Sequence, residues 1–104
     1  MTAFYEDCNI GDELDFGSTT FTADAIRAFA LAYDPQPFHL DEAAAKASLF
    51  GGLCASGWHT AAVWMKLMVA FQQRDAREKA ARGIRIARPG PSPGFKQLRW
   101  LKPV

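Results

Sequence analysis

Hydrophobic and polar residues alternate over residues 11–21 of this chain of 104 residues. Leu14 and Phe16 fall on one side of an extended backbone, and acidic residues fall on the other. A period of two in a threonine-rich stretch is typical of a β-strand with one buried face. We predict a strand here and a second one over residues 95–104, where the alternation is less one-sided.

A helical period follows the first predicted strand. Thr22 stands at an N-cap position, and apolar residues recur on one stripe over residues 26–33, which predicts a helix ending near Asp34. Two prolines then disfavour the α conformation of the residues before them, so we predict an extended loop over residues 34–38. A short alanine-rich helix is predicted over residues 41–47, with its first residue as N-cap.

The longest predicted helix begins after Ser56 and ends at Gly83. Residues 58–71 leave almost no polar face, so we expect this part to be buried nearly all round. The apolar run contains a histidine and a lysine and is too short to span a bilayer. One or two strands cannot wrap such a helix, so either a partner covers it or the chain holds less than the whole fold.

Length and composition indicate one globular domain over residues 1–104, with 49% hydrophobic and 22% charged residues. Two cysteines, Cys8 and Cys54, cannot form a disulfide framework. The first residues lack a basic segment leading into an apolar one. We therefore expect a cytoplasmic protein with reduced thiols.

Charge is distributed unevenly along the chain. Residues 1–65 carry a net charge of about −7 and residues 66–104 about +8, because ten of the twelve basic residues lie in the second part. A basic half could bind nucleic acid, a phosphorylated small molecule or an anionic surface, or could simply be solvated. The basic residues have little aromatic interleaving, so we expect no nucleic-acid partner. We expect no membrane partner because the apolar run of the long helix is too short to span a bilayer.

The strongest candidate chemistry is the pair Asp34 and His39. A carboxylate and an imidazole five residues apart on a proline-stiffened loop can act as an acid–base pair. The alternative is that Asp34 caps a turn and that His39 has a structural role.

Gly57 begins the long helix, where free backbone N–H groups favour a developing negative charge. Glycine also lets a substrate carbonyl approach the backbone closely, which suits an oxyanion hole for an enolate. Close packing of the helix is the alternative reason for this glycine. Together, the Asp34–His39 pair and an anion-stabilising helix start at Gly57 indicate proton chemistry beside a carbonyl. Adding or removing water across a conjugated double bond is an example.

Residues 29–67 resemble the MaoC-type dehydratases, which are (R)-specific enoyl-CoA hydratases. The hydratase motif of that family is matched in order by Asp34, Gln36, Pro37, Phe38 and His39. The resemblance implies an α+β hot-dog fold, in which an antiparallel sheet wraps a long central helix. It also implies a homodimer or larger homo-oligomer.

The resemblance further implies that Asp34 and His39 hold and activate a water that adds to a trans-2-enoyl thioester, or leaves a 3-hydroxyacyl thioester in reverse. The Gly57 amide would polarise the thioester carbonyl. The substrate is then an acyl-CoA or related thioester, and no separate cofactor is expected, since coenzyme A is part of the substrate. No metal site is expected, because two histidines and two separated cysteines offer no ligand cluster at zinc spacing. A hot-dog domain that binds acyl thioesters or dimerises without catalysis is the alternative.

This chain departs from the family pattern in three places. Gln36 replaces the usual asparagine, and Met65 stands where some hydratases carry a serine that steadies the catalytic loop. Family domains continue past the strand that resembles residues 98–104, so we expect that this chain is truncated and lacks C-terminal strands. His59 is expected to be structural, since a lone histidine on an apolar helix is more often a core residue than a catalyst.

Overall fold

A computed structural model describes residues 4–88 and 90–104 of the chain. Within these described residues, a 3₁₀ turn lies at Tyr5–Asp7, and four α-helices follow it. The helices are α1 (Ala23–Tyr33), α2 (Pro37–Leu40), α3 (Glu42–Lys46) and α4 (Gly57–Ala81).

The chain divides into two compact units. The first unit comprises the described parts of Met1–Ser18 and Met65–Lys96, and the second comprises Thr19–Trp64 and Gln97–Val104. The second unit holds the buried residues of the described chain, which are Ile26, Ala30, His39, Ala45, Cys54, Ala55 and Ser56. The candidate chemistry therefore lies in the unit that has a buried core.

Helix α1 begins and ends as its sequence predicts. The Thr22 hydroxyl accepts a hydrogen bond from the Ala25 N–H at 3.1 Å, which satisfies one of the unpaired amides of the first turn. Asp34 is the C-cap, and its N–H donates to the Ala30 carbonyl at 2.8 Å. The side chains of Ile26 and Ala30 are buried.

The prediction of an extended loop over residues 34–38 is only partly correct. The Gln36 N–H donates to the Asp34 carbonyl at 2.8 Å, and a one-turn helix, α2, begins at Pro37. Proline suits the first position of a helix because its fixed φ is helical and its missing N–H would have had no intrahelical partner there. His39 consequently lies in a helical turn and not in extended chain.

Helix α3 confirms the short helix predicted over residues 41–47. The Asp41 carboxylate accepts from the Ala44 N–H at 2.9 Å, and Ala47 is the C-cap. Helix α2 packs against both α1 and α3. The Arg27 guanidinium on α1 lies 3.8 Å from the Glu42 carboxylate at the start of α3.

His59 lies between two aromatic rings of the second unit. The Phe29 ring stacks on the imidazole at 4.6 Å between centroids, and the Phe21 ring meets it edge-on at 4.8 Å. Its Nδ1 is buried and has no hydrogen-bond partner among the described residues. Burial lowers the pKa of His59 below its ordinary value of 6.5, so the packed imidazole is neutral. This environment agrees with the structural role expected for His59.

Both ends of α4 follow the sequence signals. The Ser56 hydroxyl accepts from the Trp58 N–H at 3.3 Å at the start of the helix. At its end, Gly83 adopts a φ of +71°, and the Ile84 N–H donates to the Lys79 carbonyl at 2.8 Å. This bond and the left-handed glycine form a Schellman motif, so Gly83 ends the helix as predicted.

The expectation that residues 58–71 are buried all round is wrong for this structure. No residue of α4 is fully buried, and Trp58, Trp64, Met65 and Val69 are exposed by 39–59%. The physical reason is that a helix with apolar residues on every side needs packing partners on every side, and the described residues form no sheet around it. No helix in residues 4–88 and 90–104 is long and apolar enough to cross a membrane.

The strands predicted over residues 11–21 and 95–104 are also wrong for this structure. Neither segment pairs as a strand in the described chain. Alternation favours an extended backbone, but a strand forms only when another segment supplies the hydrogen bonds of the ladder. The Ala55 N–H does bond to the Val104 carbonyl at 2.7 Å, which holds the end of the chain beside the start of α4.

Aromatic and ionic contacts occur within the first unit. The Phe16 and Phe71 rings lie 5.2 Å apart, and the Arg85 guanidinium lies 4.9 Å from the centre of the Phe4 ring. Along α4, the Lys79 ammonium lies 3.1 Å from the Asp75 carboxylate one turn earlier. Cys8 is exposed and Cys54 is buried, and both are free thiols.

Replacing Gly83 with alanine should destabilise the end of α4. The left-handed φ of +71° places an alanine Cβ too close to its own backbone, at a cost of about 1 kcal/mol. Gly90→Ala is the control, because Gly90 does not have a left-handed φ and a Cβ there meets nothing within 4 Å. Chemical denaturation followed by circular dichroism should show the loss for Gly83→Ala, and an equal loss in both variants would contradict this explanation.

The lowered pKa of His59 predicts that the protein loses stability as the pH falls below about 6.5. In that range His59 binds a proton in the unfolded state but stays neutral in the folded state, so the free energy of unfolding decreases. His59→Phe, which keeps an aromatic ring but cannot titrate, should show a smaller decrease between pH 7.5 and pH 5 in melting experiments. Identical pH dependence in the wild type and His59→Phe would exclude His59 as the cause.

Candidate active site

Asp34 and His39 come together in the second unit. Asp34 follows α1 and His39 lies in α2, and the short turn between them brings Asp34 Oδ2 to 3.3 Å from His39 Nε2. His39 is 4% exposed, and the Asp34 side chain is 17% exposed. The pair proposed from its spacing in the sequence is therefore a contact in the structure, with only a small part of the carboxylate open to solvent.

A backbone carbonyl fixes the orientation of the imidazole. His39 Nδ1 lies 2.6 Å from the Cys54 carbonyl oxygen. Since a carbonyl can only accept, Nδ1 carries a proton and donates it. Nε2, the other ring nitrogen, faces the Asp34 carboxylate, so this is the nitrogen at which the imidazole can exchange a proton beside the carboxylate.

Two further side chains donate to the Asp34 carboxylate. The Ser56 hydroxyl donates to Oδ2 at 2.7 Å, and the Gln36 amide donates to Oδ1 at 2.7 Å. The Ser56 hydrogen bond is the largest influence lowering the pKa of Asp34 below its ordinary value of 3.8, and the Gln36 hydrogen bond acts in the same direction. Asp34 is therefore an ionised base at neutral pH.

The sequence singled out these two donors for other reasons. Gln36 is a departure from the asparagine of the family motif, and Ser56 is the residue after which the long helix is predicted to begin. In the structure the longer Gln36 side chain reaches back two residues to the carboxylate, so the substitution retains a hydrogen bond within the loop. The fully buried Ser56 is 22 residues from Asp34 in sequence, and no local pattern could have paired them.

Gly57 lies at the start of α4 against the indole of Trp100. A Cβ built on Gly57 would lie 2.6 Å from Trp100 Cδ2 and Nε1, so only glycine permits this contact. The Trp58 and Trp100 rings meet edge-on with centroids 5.6 Å apart. Close packing thus accounts for the glycine in this structure, and a role for its amide in binding a thioester carbonyl stays a prediction.

Cys54 completes the surroundings of His39. Its Sγ lies 3.8 Å from His39 Nδ1, and burial raises the pKa of the thiol above its ordinary value of 9.0. A protonated, buried thiol is a poor nucleophile and a poor metal ligand. The described residues contain no group of three or more histidine, cysteine or acidic side chains that could hold a metal ion.

The arrangement is suited to moving a proton at one atom of a small molecule. The Asp34 carboxylate oxygen and the His39 imidazole nitrogen lie 3.3 Å apart. The Ser56 hydroxyl holds the carboxylate, and the Cys54 carbonyl holds the imidazole. A single water or hydroxyl group can donate to one and be positioned by the other, as general acid–base catalysis requires.

Several known proteins are similar to this chain. A crystal structure of the MaoC-like dehydratase from Rhodospirillum rubrum is 60% identical to this chain, with a TM-score of 0.61 over 64% of this chain and 46% of that one. The uncharacterized protein YdeM of Bacillus subtilis is 36% identical over 64 residues, which are 62% of this chain and 45% of that protein. The chain thus matches less than half the length of either relative.

The likeness to the Rhodospirillum rubrum structure supports a fold of the hot-dog type, although the sheet is not formed by the described residues of this chain. The sequence pattern of the MaoC like domain matches residues 7–90, a range that includes Asp34, Gln36, His39, Ser56 and Gly57. On that match, the chain belongs to the MaoC-like dehydratase family.

Proposed function

We propose that this domain catalyses the reversible hydration of a trans-2-enoyl thioester, as an enoyl-CoA hydratase or 3-hydroxyacyl-CoA dehydratase, with Asp34 and His39 as its acid–base pair. The observation that carries the proposal is the 3.3 Å approach of Asp34 Oδ2 to His39 Nε2, with the imidazole held from behind by the Cys54 carbonyl. Family membership supports a hydratase or dehydratase role in general.

Water addition to a conjugated thioester needs a base and an acid at neighbouring carbons. Water donates to the Asp34–His39 pair, and its oxygen attacks C3 of the enoyl group as the pair takes the proton. The electrons of the double bond move toward the thioester carbonyl and form an enolate. The pair then returns a proton to C2, so that one water is added and the pair regains its original charge.

The charge states of the pair suit these steps. The Ser56 and Gln36 hydrogen bonds keep the pKa of Asp34 low, so a base is present at neutral pH.

The enolate carries its negative charge at the thioester oxygen, where a donor is needed. We propose the N–H of Gly57 for this role, since it belongs to the first turn of α4, whose amides lack intrahelical acceptors.

A second candidate function is an acyl-thioester-binding or dimerisation domain without catalysis. The contact of Trp100 with Gly57 favours it, because the indole lies against the residue that a thioester carbonyl would approach. Under this alternative, Trp58 and Trp100 would offer an aromatic surface to a ligand, and Asp34 and His39 would have a structural role.

Asp34→Asn and His39→Gln should each lower kcat/KM for the hydration of crotonyl-CoA by at least about 100-fold, since each removes one partner in proton transfer. Turnover is followed by the loss of the enoyl absorbance. Asp24→Asn is the matched control, because the Asp24 side chain is 97% exposed and should not affect turnover. Circular dichroism establishes that each variant is folded, and full activity in both folded variants would refute the assignment.

Binding and turnover separate the two candidate functions. We expect the wild type to bind crotonyl-CoA and hydrate it, and Asp34→Asn to bind with similar affinity but not to hydrate it, because the carboxylate acts in the reaction more than in binding. Calorimetry measures the binding and the absorbance assay the turnover. Saturable binding by a wild type that never hydrates the ligand would instead assign this chain to the non-catalytic alternative.

A further inference from the structure

The Ser56 hydroxyl makes two hydrogen bonds, one to the backbone of α4 and one to the Asp34 carboxylate. It accepts from the Trp58 N–H at 3.3 Å and donates to Asp34 Oδ2 at 2.7 Å. A serine hydroxyl has one proton to give, so its donor capacity is committed to the carboxylate. Ser56 therefore joins the first turn of α4 to the base of the proposed reaction.

We propose that Ser56 is a positioning residue that holds Asp34 ionised and oriented toward His39, and that it does so by linking the carboxylate to the start of α4. The inference rests on the proposed function for its catalytic meaning, while the link between Ser56 and Asp34 is independent of any substrate.

The geometry sets Ser56 apart from an ordinary helix cap. A cap needs only an acceptor for an amide of the first turn, as the Thr22 hydroxyl provides for Ala25 at the start of α1. The Ser56 hydroxyl supplies that acceptor and in addition donates to a residue 22 positions away in sequence. A structural cap alone gives no reason for the second bond.

Burial makes the bond difficult to replace. Ser56 is 0% exposed, whereas Gln36, the donor to the other carboxylate oxygen, lies in the exposed loop after Asp34. The Gln36 bond therefore lies beside solvent, whereas the Ser56 side chain has no contact with solvent. Hydrogen bonds to charged groups are also among the stronger ones in proteins.

The bond also determines which carboxylate oxygen faces His39. Ser56 donates to Oδ2, the same oxygen that lies 3.3 Å from His39 Nε2. With Gln36 on Oδ1, the carboxylate is held at both oxygens and cannot rotate without losing a bond. The amide of Trp58 polarises the hydroxyl in turn, because hydrogen bonds in a chain strengthen one another.

The test is the titration of the Asp34 carboxyl carbon, followed by NMR in the wild type, Ser56→Ala and Ser56→Gly. Both variants should raise the pKa of Asp34, since the ionised form loses its buried donor. Ser56→Gly is included because glycine costs a helix N-cap little, so a variant without the hydroxyl remains available if Ser56→Ala fails to fold. His39 is the ionisable group in contact with Asp34, and its titration is recorded in the same samples.

Ser56→Thr and Thr22→Ala serve as controls. Ser56→Thr retains the hydroxyl and should restore the low pKa. Thr22→Ala removes the cap of α1 without touching Asp34, so it should lower the melting temperature and leave the Asp34 titration unchanged. An Asp34 titration that does not move in the folded Ser56→Ala or Ser56→Gly variant would overturn the proposal.

The pH profile of crotonyl-CoA hydration gives the catalytic readout. In Ser56→Ala the acidic limb should move to higher pH, and kcat/KM at the optimum should fall about 10-fold, the equivalent of one charge-assisted hydrogen bond. A lower rate with an unmoved acidic limb would reduce Ser56 to a structural cap. If the wild type shows no hydration but the Asp34 pKa still rises without Ser56, the proposed function fails and the link between Ser56 and Asp34 stands.

Discussion

The Asp34 carboxylate is the point at which three helices meet. It stands at the end of α1, lies 3.3 Å from an imidazole in α2, and accepts a hydrogen bond from the residue that precedes α4. A partly buried charge is costly unless it is paired and hydrogen-bonded, so these helix ends must stay close together for the carboxylate to remain ionised. The bonds that hold the core in place thus also set the protonation state of the base.

The imidazole depends on the same region of the chain. The segment before α4 supplies the carbonyl of Cys54 to His39 and the hydroxyl of Ser56 to Asp34, and both residues are buried. One short segment therefore fixes the tautomer of the acid–base histidine and the charge of the carboxylate.

Helix α4 carries large apolar side chains that the described residues do not cover. Its residues are apolar on most sides, yet Trp58, Trp64 and Met65 are exposed. A hot-dog-type fold surrounds such a helix with sheet, whereas the described residues of this chain form none, and the chain matches less than half the length of its relatives. The same lack of strand partners explains why alternation over residues 11–21 yields no β-strand in the described chain.

Features that depend on neighbours within a few residues are predictable from the sequence alone. Thr22, Asp41 and Ser56 cap helices because a side chain reaches an amide two or three positions away, and Gly83 ends α4 because it tolerates a left-handed φ. The spacing of Asp34 and His39 also identified the pair. Only the tertiary structure decided their environment, because the bonds from His39 to Cys54 and from Ser56 to Asp34 span 15 and 22 residues. Contacts at that separation follow from how the helices pack, which no local pattern of residues specifies.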